Sequence, residues 1–234
     1  MNYPGGKNGS GVYQTIINQI PPHDVYVEAF AGSGAVLRAK RPAHVNVAID
    51  IYASCTDILS QLPEVVVING DAISSLRSVV ANPVYAGSRI FVYADPPYLK
   101  KDIDGSNVRS SQVDIYEHEF DTVEQHLKLL NLLKSLGCMV MLSGYWCRLY
   151  ENELQGWRGI TYQSMTRAGR PATEWLWMNY PEPIALHDYS YLGTDHTDRQ
   201  RIKRKVERWR RRIASMPVLE KRVLLQALEE FHRG

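Results

Sequence analysis

The feature that most constrains the fold of this chain is a regular alternation of short β-branched runs with helical patterns. The runs rich in valine and isoleucine predict strands at 25–29, 45–49, 65–68, 90–94, 139–142 and 173–178. Stretches with helical periodicity lie at 12–20, 34–39, 53–62, 72–80 and 120–136. Continuous apolar strands separated by helices are typical of a parallel sheet that is covered on both faces. The pattern therefore predicts an α/β fold.

Length and composition narrow the class of protein. The 234 residues suit one α/β domain with an appendage. No apolar run approaches the length of a membrane span, and the first residues lack the apolar core of a signal peptide, so we expect a cytoplasmic protein. The three cysteines form no Cys-x-x-Cys pair, which favours buried free thiols over a disulfide or a metal site.

The charge of the chain is unevenly distributed. The net charge is only +2, but the segment from residue 196 onwards has 12 Lys and Arg against 5 Asp and Glu. The preceding residues have 15 basic against 20 acidic side chains. An acidic body with a basic tail favours contact between the tail and a polyanion, although a solvated charged helix would give the same pattern.

The pattern changes after Pro183 and predicts a second structural unit. We expect a catalytic domain over 1–183, a linker over 184–196 and a basic helical hairpin over 197–234. The first helix has an apolar stripe at Ile202, Val206, Trp209 and Ile213. The second helix, after Met216-Pro217, has apolar residues at Leu219, Val223, Leu224, Leu228 and Phe231. The two stripes are expected to pack together and to leave the arginines outward, as a candidate nucleic-acid-binding element.

Polar or glycine-rich segments follow four successive predicted strands. The first strand is followed by Phe30-Ala31-Gly32-Ser33-Gly34, the second by Asp50, the third by Gly70-Asp71 and the fourth by Asp95-Pro96-Pro97-Tyr98. Because ligands bind at the carboxyl ends of the strands in a parallel sheet, these segments predict one site. Gly32 and Gly34 would let the backbone approach a ligand. Asp50 could accept the hydroxyls of a ribose and Asp71 an adenine amine, so the series indicates a nucleoside pocket.

The Asp95-Pro96-Pro97-Tyr98 segment carries the most specific chemical signal. Two prolines make the turn stiff, because both have a fixed φ and neither has an N–H. The Asp95 carboxylate and the Pro96 carbonyl then offer two acceptors for the two hydrogens of an exocyclic amine. Tyr98 supplies a flat face on which a base can stack. These residues are the candidate catalytic residues.

Three motifs, in this order, resemble the motif set of the Dam-like (D12 class) DNA adenine methyltransferases. They are 3–7 (YPGGK), 27–34 (VEAFAGSG) and 95–98 (DPPY). Softer matches are Phe120, His126, 142–145 (LSGY) and 174–176 (EWL). The resemblance covers about residues 1–181.

The resemblance implies a Rossmann-like S-adenosylmethionine-dependent methyltransferase fold with a seven-stranded sheet. It implies S-adenosyl-L-methionine as the methyl donor, no metal, and duplex DNA as partner, with the target adenine flipped out. The cofactor-binding positions that it implies are Tyr3, Lys7, Phe30, Gly32, Gly34, Asp50, Asp71 and Asp95.

The chain departs from this family at one place. Members usually have a target recognition domain between the motifs that correspond to Asp71 and Asp95, but only 23 residues lie between them here. Recognition must then fall to 99–119, which we expect to form a flap over the flipped base, to the turn around 167–170, or to the hairpin. The candidate nucleic-acid-binding residues are Lys100, Lys101, Arg109, Arg167, Arg170, Arg204, Arg208 and Arg211.

Several alternatives use the same fold. N4 of cytosine, N6 of adenine in RNA and a glutamine side-chain amide all present an amine to a similar pair of acceptors. Asp at position 95, together with the N-terminal Pro-Gly-Gly-Lys, favours adenine in DNA. A non-catalytic nucleic-acid-binding protein is the alternative from another class, and the intact motifs argue against it. The chain has no nuclease motif, which favours a solitary or phage-borne modification enzyme over a fused restriction system.

Overall fold

The computed structural model describes residues 7, 9, 11–109, 120–166 and 169–233, with side chains described to Phe231. The chain divides into two compact units, Met1–Ser190 and Tyr191–Gly234. Two predicted site residues, Tyr3 and Arg167, lie outside the described residues, as does the second half of the predicted flap, 110–119.

The first unit contains the strands and helices that the sequence predicts, with two additions. Its strands are β1 (Val25–Ala29), β2 (Val45–Asp50), β3 (Val65–Asn69), β4 (Ile90–Ala94), β5 (Met139–Gly144), β6 (Arg158–Met165) and β7 (Pro171–Met178). Its helices are α1 (Val12–Ile17), α2 (Ala35–Ala39), α3 (Ala53–Leu59), α4 (Ala72–Val80), α5 (Val123–Ser135) and α6 (Arg148–Glu153). The additions are β6 and α6.

The strands form one seven-stranded sheet in the order β3-β2-β1-β4-β5-β7-β6. The chain runs outward from β1 to β3 and returns to the other side of β1 with β4, so the strand order reverses between β1 and β4. In open α/β sheets, ligands bind outside the carboxyl ends of the strands at such a switch point. The predicted Rossmann-like sheet of seven strands is confirmed, and its topology points to the loops after β1 and β4.

The sheet is mixed, whereas the pattern of apolar runs predicted a parallel one. The strands β1 to β5 pair in parallel, but β7 is antiparallel to both β5 and β6. The strand β6 was missed because its side chains alternate between exposed and covered positions, with only Tyr162 buried. Such an edge strand has no continuous apolar run.

The burial of the central strands explains why the sequence shows them as continuous apolar runs. All five residues of β1 and all five of β4 are buried. Val27 belongs to the main core cluster together with Leu76 of α4 and Leu129 of α5. Successive strand residues point to opposite faces, so Tyr26 lies on the other face, where Lys40 Nζ is 3.9 Å from the centre of its ring. Both faces of the sheet are therefore covered.

The first part of the predicted linker is packed against the first unit. His187 and Asp188 are each 5% exposed, and His187 stacks on His23 with a centroid distance of 3.9 Å. The Asp188 carboxylate accepts the backbone N–H of Arg41 at 2.8 Å. These contacts correct the predicted linker 184–196, since the first unit extends to Ser190. The sequence did not predict this packing, because two polar residues in a loop, His187 and Asp188, show no periodic pattern of apolar residues.

The second unit consists of α7 (His196–Ser215) and α8 (Val218–Arg233). The two predicted helices are present, and the Asp195 side chain caps the start of α7. The expected packing of their apolar stripes is wrong, because most of the stripe side chains stay exposed and only Ile202 and Leu224 are partly covered. Trp209 is 45% exposed, Val223 68% and Phe231 84%. The spacing of apolar residues predicted the helices but could not determine what covers them.

Membrane spans, metal clusters and disulfides are three further features that bear on function. Within them, no helix is both long and apolar enough to cross a bilayer. The described part of the chain also contains no cluster of three or more His, Cys, Asp or Glu that could hold a metal ion. Cys55 and Cys147 are buried and Cys138 is partly buried, all as free thiols.

The entry to α2 provides a test of this packing. Gly34 has a φ of +67°, and a Cβ added there would lie 2.5 Å from Cδ2 of the buried Leu59. We expect Gly34→Ala to lower the free energy of unfolding by about 2–4 kcal/mol, because it combines left-handed strain with a displaced core side chain. Chemical denaturation measures the change.

Gly87→Ala is the matched control for this substitution. Gly87 also has a positive φ, +78°, but an added Cβ would meet nothing within 4 Å. The control should therefore cost only the backbone strain, about 1 kcal/mol. Equal losses for the two variants would contradict the packing of α2 on α3.

Candidate active site

The loop after β1 is a tight left-handed turn. Phe30, Gly32 and Gly34 have φ values of 58°, 51° and 67°. A positive φ is strained for phenylalanine and is a feature found at functional sites. The Phe30 ring packs edge-on against Phe120 with a centroid distance of 5.2 Å, which helps to hold this conformation. The turn brings backbone close to the switch point, as the sequence predicted.

Asp50, at the end of β2, fixes this turn. Its Oδ2 accepts the Gly32 N–H at 2.7 Å and its Oδ1 accepts the Tyr52 N–H at 2.9 Å. The side chain is buried, and burial raises the pKa of Asp50 although the backbone hydrogen bonds oppose the rise. Each carboxylate oxygen can accept a second hydrogen bond. The structure thus gives Asp50 a role in shaping the loop, and its contact with a ribose stays a prediction.

Asp71 lies at the next strand end, where it caps α4. Its carboxylate accepts the backbone N–H of Ser74 at 2.9 Å and the Ser74 hydroxyl at 3.0 Å. The residue is exposed. This is the ordinary role of an aspartate before a helix. The structure brings it to the predicted edge of the sheet, and its contact with an adenine amine stays a prediction.

Asp95 follows β4 and lies directly across the switch point from the turn after β1. Its backbone N–H donates to the Ala29 carbonyl at 3.3 Å. The Ser143 hydroxyl at 2.6 Å and the Lys7 ammonium at 2.9 Å converge on one carboxylate oxygen, Oδ1, and the Tyr98 hydroxyl lies 3.4 Å from the same oxygen. Ser143 is itself fully buried and lies within hydrogen-bond distance, 3.1 Å, of the Tyr93 hydroxyl. The carboxylate is therefore held in one orientation, with 17% of the side chain exposed.

Lys7 joins Asp95 to a second buried carboxylate, Glu174 of β7. The ammonium lies 3.1 Å from Glu174 Oε2 and also donates to the Tyr98 hydroxyl at 2.6 Å. Glu174 accepts further hydrogen bonds from the hydroxyls of Tyr98, Tyr162 and Ser164, at 2.5, 2.7 and 2.5 Å. We call Lys7, Asp95, Tyr98 and Glu174 the lysine network. It connects the start of the chain to β4 and β7.

The lysine network keeps Lys7 and Glu174 charged. Burial alone would lower the pKa of Lys7, but Asp95 and Glu174 outweigh it and raise the pKa above its usual range. Burial alone would raise the pKa of Glu174, but the charge of Lys7 and the three hydroxyl donors lower it to about 2. Burial raises the pKa of Asp95, and Lys7 and Ser143 oppose that rise. The network therefore places one buried ammonium between two carboxyl groups.

Tyr98 stands between this network and the surface. Its hydroxyl is tied to Lys7 and Glu174, while its ring packs edge-to-face with Tyr145 at a centroid distance of 4.6 Å. The residue is partly exposed. The network therefore fixes the plane of the ring at the rim of the site, where a flat ligand could stack on it.

Sequence reasoning gave no role to two residues that this geometry places at the centre. Ser143 and Glu174 belong to segments that matched family motifs softly, yet neither was assigned to the site. The signal that could have found them is a polar residue within an otherwise apolar strand, since buried polar side chains need partners. Ser143 is 0% and Glu174 7% exposed.

The candidate nucleic-acid-binding residues separate into two groups. Lys101, Arg170, Arg204, Arg208 and Arg211 are exposed, as a contact with phosphates requires. Arg109 is 6% exposed, so its predicted phosphate contact is wrong for this structure. Lys100 forms an ion pair with Asp121 and is 21% exposed, so it is also a poor candidate. Both side chains lie against the Asp121 carboxylate, from which Arg109 Nη2 is 3.8 Å. Residues 100–108 form a small hairpin, closed by the Val108 N–H on the Lys100 carbonyl.

Comparison with known proteins gives the following findings. No family model and no curated protein matches this chain. Solved structures that resemble it include the 23S rRNA methyltransferase ErmE, at 12% identity and TM-score 0.45 over 87% of this chain and 78% of that one. A putative RNA methyltransferase from Pyrococcus horikoshii has 12% identity and TM-score 0.43, over 77% and 92%. A SAM-dependent methyltransferase from Agrobacterium tumefaciens has 14% and 0.41, over 71% and 58%. With these TM-scores below 0.5, the fold assignment rests on the strand order itself.

The lysine network predicts a specific dependence of stability on pH. Glu174→Gln should lower the free energy of unfolding at pH 7 by on the order of 3 kcal/mol, because it removes a buried ionic partner of Lys7. The ordinary pKa of this carboxyl is 4.5 and the folded one is about 2. A depressed pKa stabilises the fold above the unfolded value, so the deficit should be complete above about pH 4.5 and shrink as the pH falls towards 2.

Denaturant titrations of wild type and variant at several pH values measure this deficit. Glu182→Gln, which removes an exposed carboxylate, is the control and should cost little at any pH. A deficit for Glu174→Gln that stays constant between pH 5 and the acid limit would contradict the charged network.

Proposed function

We propose that this chain is an S-adenosylmethionine-dependent methyltransferase that acts on the exocyclic N6 amine of adenine in DNA, as the Dam-like resemblance implies. The single observation that carries the proposal is the fixed Asp95 carboxylate at the switch point, held through Oδ1 by Lys7 and Ser143. The adjacent prolines stiffen the same turn. One carboxylate oxygen is thus anchored, and the other, Oδ2, is the acceptor for a substrate amine.

The residues around the turn after β1 fit the proposed cofactor. Gly34 has no room for a side chain, Phe30 and Gly32 bend the backbone across the strand end, and Asp50 holds the turn. When bound, the cofactor supplies a methyl group on a cationic sulfonium. A carboxyl group at this edge, Asp95, suits a cation. Tyr3 is proposed as a cofactor contact from the resemblance alone, and Asp71 from its position after β3 together with the resemblance.

The residues of the network then orient the target amine. Asp95 Oδ2 and the Pro96 carbonyl accept its two hydrogens, and Tyr98 stacks on the base. This favours a nitrogen whose lone pair points away from both acceptors, towards the methyl carbon. Asp95 stabilises the positive charge that develops on nitrogen and accepts or relays the released proton. Lys7 cannot accept that proton, because its raised pKa keeps it protonated.

The residues that recognise the target sequence are proposed to lie outside the segment between Asp71 and Asp95, where the Dam-like enzymes usually carry their recognition domain. Only α4 and a short 3-10 turn at Pro83–Tyr85 lie between β3 and β4, so the chain has no recognition insertion there. Lys101, Arg170 and the basic helix α7 are the remaining exposed candidates. The missing insertion is also the observation that favours the second candidate function, methylation of adenine N6 in RNA. The same acceptor pair would serve cytosine N4.

Mass spectrometry of nucleosides tests the proposal. DNA and RNA are each incubated with the protein and isotopically labelled S-adenosyl-L-methionine, then digested. We expect labelled N6-methyladenine from DNA. Asp95→Ala should abolish the label, a loss of at least about 100-fold, while nucleic-acid binding stays near the wild-type level, since Asp95 acts on the amine rather than on phosphates.

Each other outcome corrects a defined part of the proposal. Label only in RNA or in cytosine would keep the chemistry and overturn the substrate. Label that persists in Asp95→Ala would remove Asp95 from the mechanism. Absence of label in both polymers, with retained binding, would favour a non-catalytic nucleic-acid-binding protein.

A further inference from the structure

Trp146 is an exposed indole beside the candidate active site. It follows β5, so it lies at the same carboxyl edge of the sheet as Asp95 and Tyr98. Its exposure is 46%, whereas Trp177 on the neighbouring strand is 5% exposed. Tryptophan side chains are highly buried on average, so an exposed indole at the rim of a site indicates a binding role. The proposed mechanism makes no use of it.

The backbone on both sides of Trp146 is held firmly. On one side, the ring of Tyr145 packs edge-to-face on Tyr98. On the other side, Cys147 is 1% exposed and begins the turn into α6. The Asp102 carboxylate accepts the backbone N–H groups of Arg148 and Leu149 at 2.6 and 3.1 Å. The exposure is therefore not that of a loose loop, and a fixed aromatic loses little conformational entropy on binding.

The surroundings of Trp146 combine an exposed apolar side chain with two basic residues, one of which is paired with a carboxylate. Arg148 is exposed, with 60% of its side chain accessible, and pairs with Asp104 at 3.0 Å. Lys101 is exposed at the start of the same small hairpin, and Ile103 in that hairpin is 49% exposed. Exposed aromatic rings among basic side chains are the usual surface for unpaired bases, because stacking and backbone attraction act together.

We propose that Trp146 is a stacking platform for an unpaired nucleobase next to the target base. Tyr98 takes the target base in the proposed mechanism, and its ring packs against Tyr145, the residue that precedes Trp146 in the chain. Trp146 is therefore placed for a neighbouring base rather than for the reacting one. This inference rests on the proposed function, in that the substrate is a nucleic acid. Trp146 would thus supply part of the contact with nucleic acid that a recognition insertion makes in the Dam-like enzymes.

Fluorescence anisotropy of a labelled single-stranded oligonucleotide, titrated with the full chain, tests the platform. Trp146→Ala should weaken affinity by roughly 5- to 100-fold, the size expected for the loss of one base–aromatic stack. Trp146→Phe keeps a flat ring and should recover most of the affinity. Tyr189→Ala is the matched control, because Tyr189 is 56% exposed in the same unit. It lies in the segment that His187 holds against Ile20 and His23, at the start of β1 and away from the carboxyl ends of the strands. This variant should bind like the wild type.

Methyl transfer measured on the same samples separates the two proposals. Trp146→Ala should raise KM more than it lowers kcat, since the indole contacts a base that does not react. If the wild type methylates DNA and Trp146→Ala binds with unchanged affinity, the platform is overturned and the proposed function stands. If binding depends on Trp146 but no methyl group reaches any nucleic acid, the platform stands and the proposed function is overturned. An oligonucleotide that does not bind the wild type would overturn the platform.

Discussion

The buried charge of Lys7 is the interaction on which the candidate site depends. Without it, the carboxylates of Asp95 and Glu174 would share a nearly water-free space, and repulsion would force one of them to bind a proton. With it, the pKa of Glu174 is lowered and the burial-driven rise in the pKa of Asp95 is opposed. Asp95 is also oriented through Oδ1, and the Tyr98 ring is held through its hydroxyl. The chemistry proposed at the switch point therefore needs a residue from the start of the chain and another from β7.

The antiparallel strands β6 and β7 contribute to the candidate site through Glu174, the second carboxyl partner of Lys7. The strands β6 and β7 supply Glu174 together with Tyr162 and Ser164, which donate to it. Without β6 and β7, the switch point between β1 and β4 would lack Glu174 and the two hydroxyls that donate to it. The glycine turn held by Asp50 and the stiff turn after Asp95 follow the two strands that flank that point, which is the arrangement that the proposed transfer uses.

The sequence predicted what local patterns determine and missed what only packing determines. Apolar runs gave β1 and β4 because both are fully buried, whereas the alternating pattern of β6 was not recognised. The position of Asp95 after its strand could be predicted, but its partner Glu174 lies 79 residues further along the chain and no spacing rule connects them. Charge alone made Arg109 a candidate contact, and burial corrects it. The apolar stripe of α8 predicted the helix but not its exposure.

The central claim is that the cofactor binds at the switch point between β1 and β4. Hydrogen–deuterium exchange, measured with and without S-adenosyl-L-methionine, tests it most directly. The account predicts slower exchange of backbone amides at 30–34 and 50–52 when the cofactor is present, with little change along α8. Unchanged exchange in both loops at a saturating concentration, or protection confined to other segments, would contradict it.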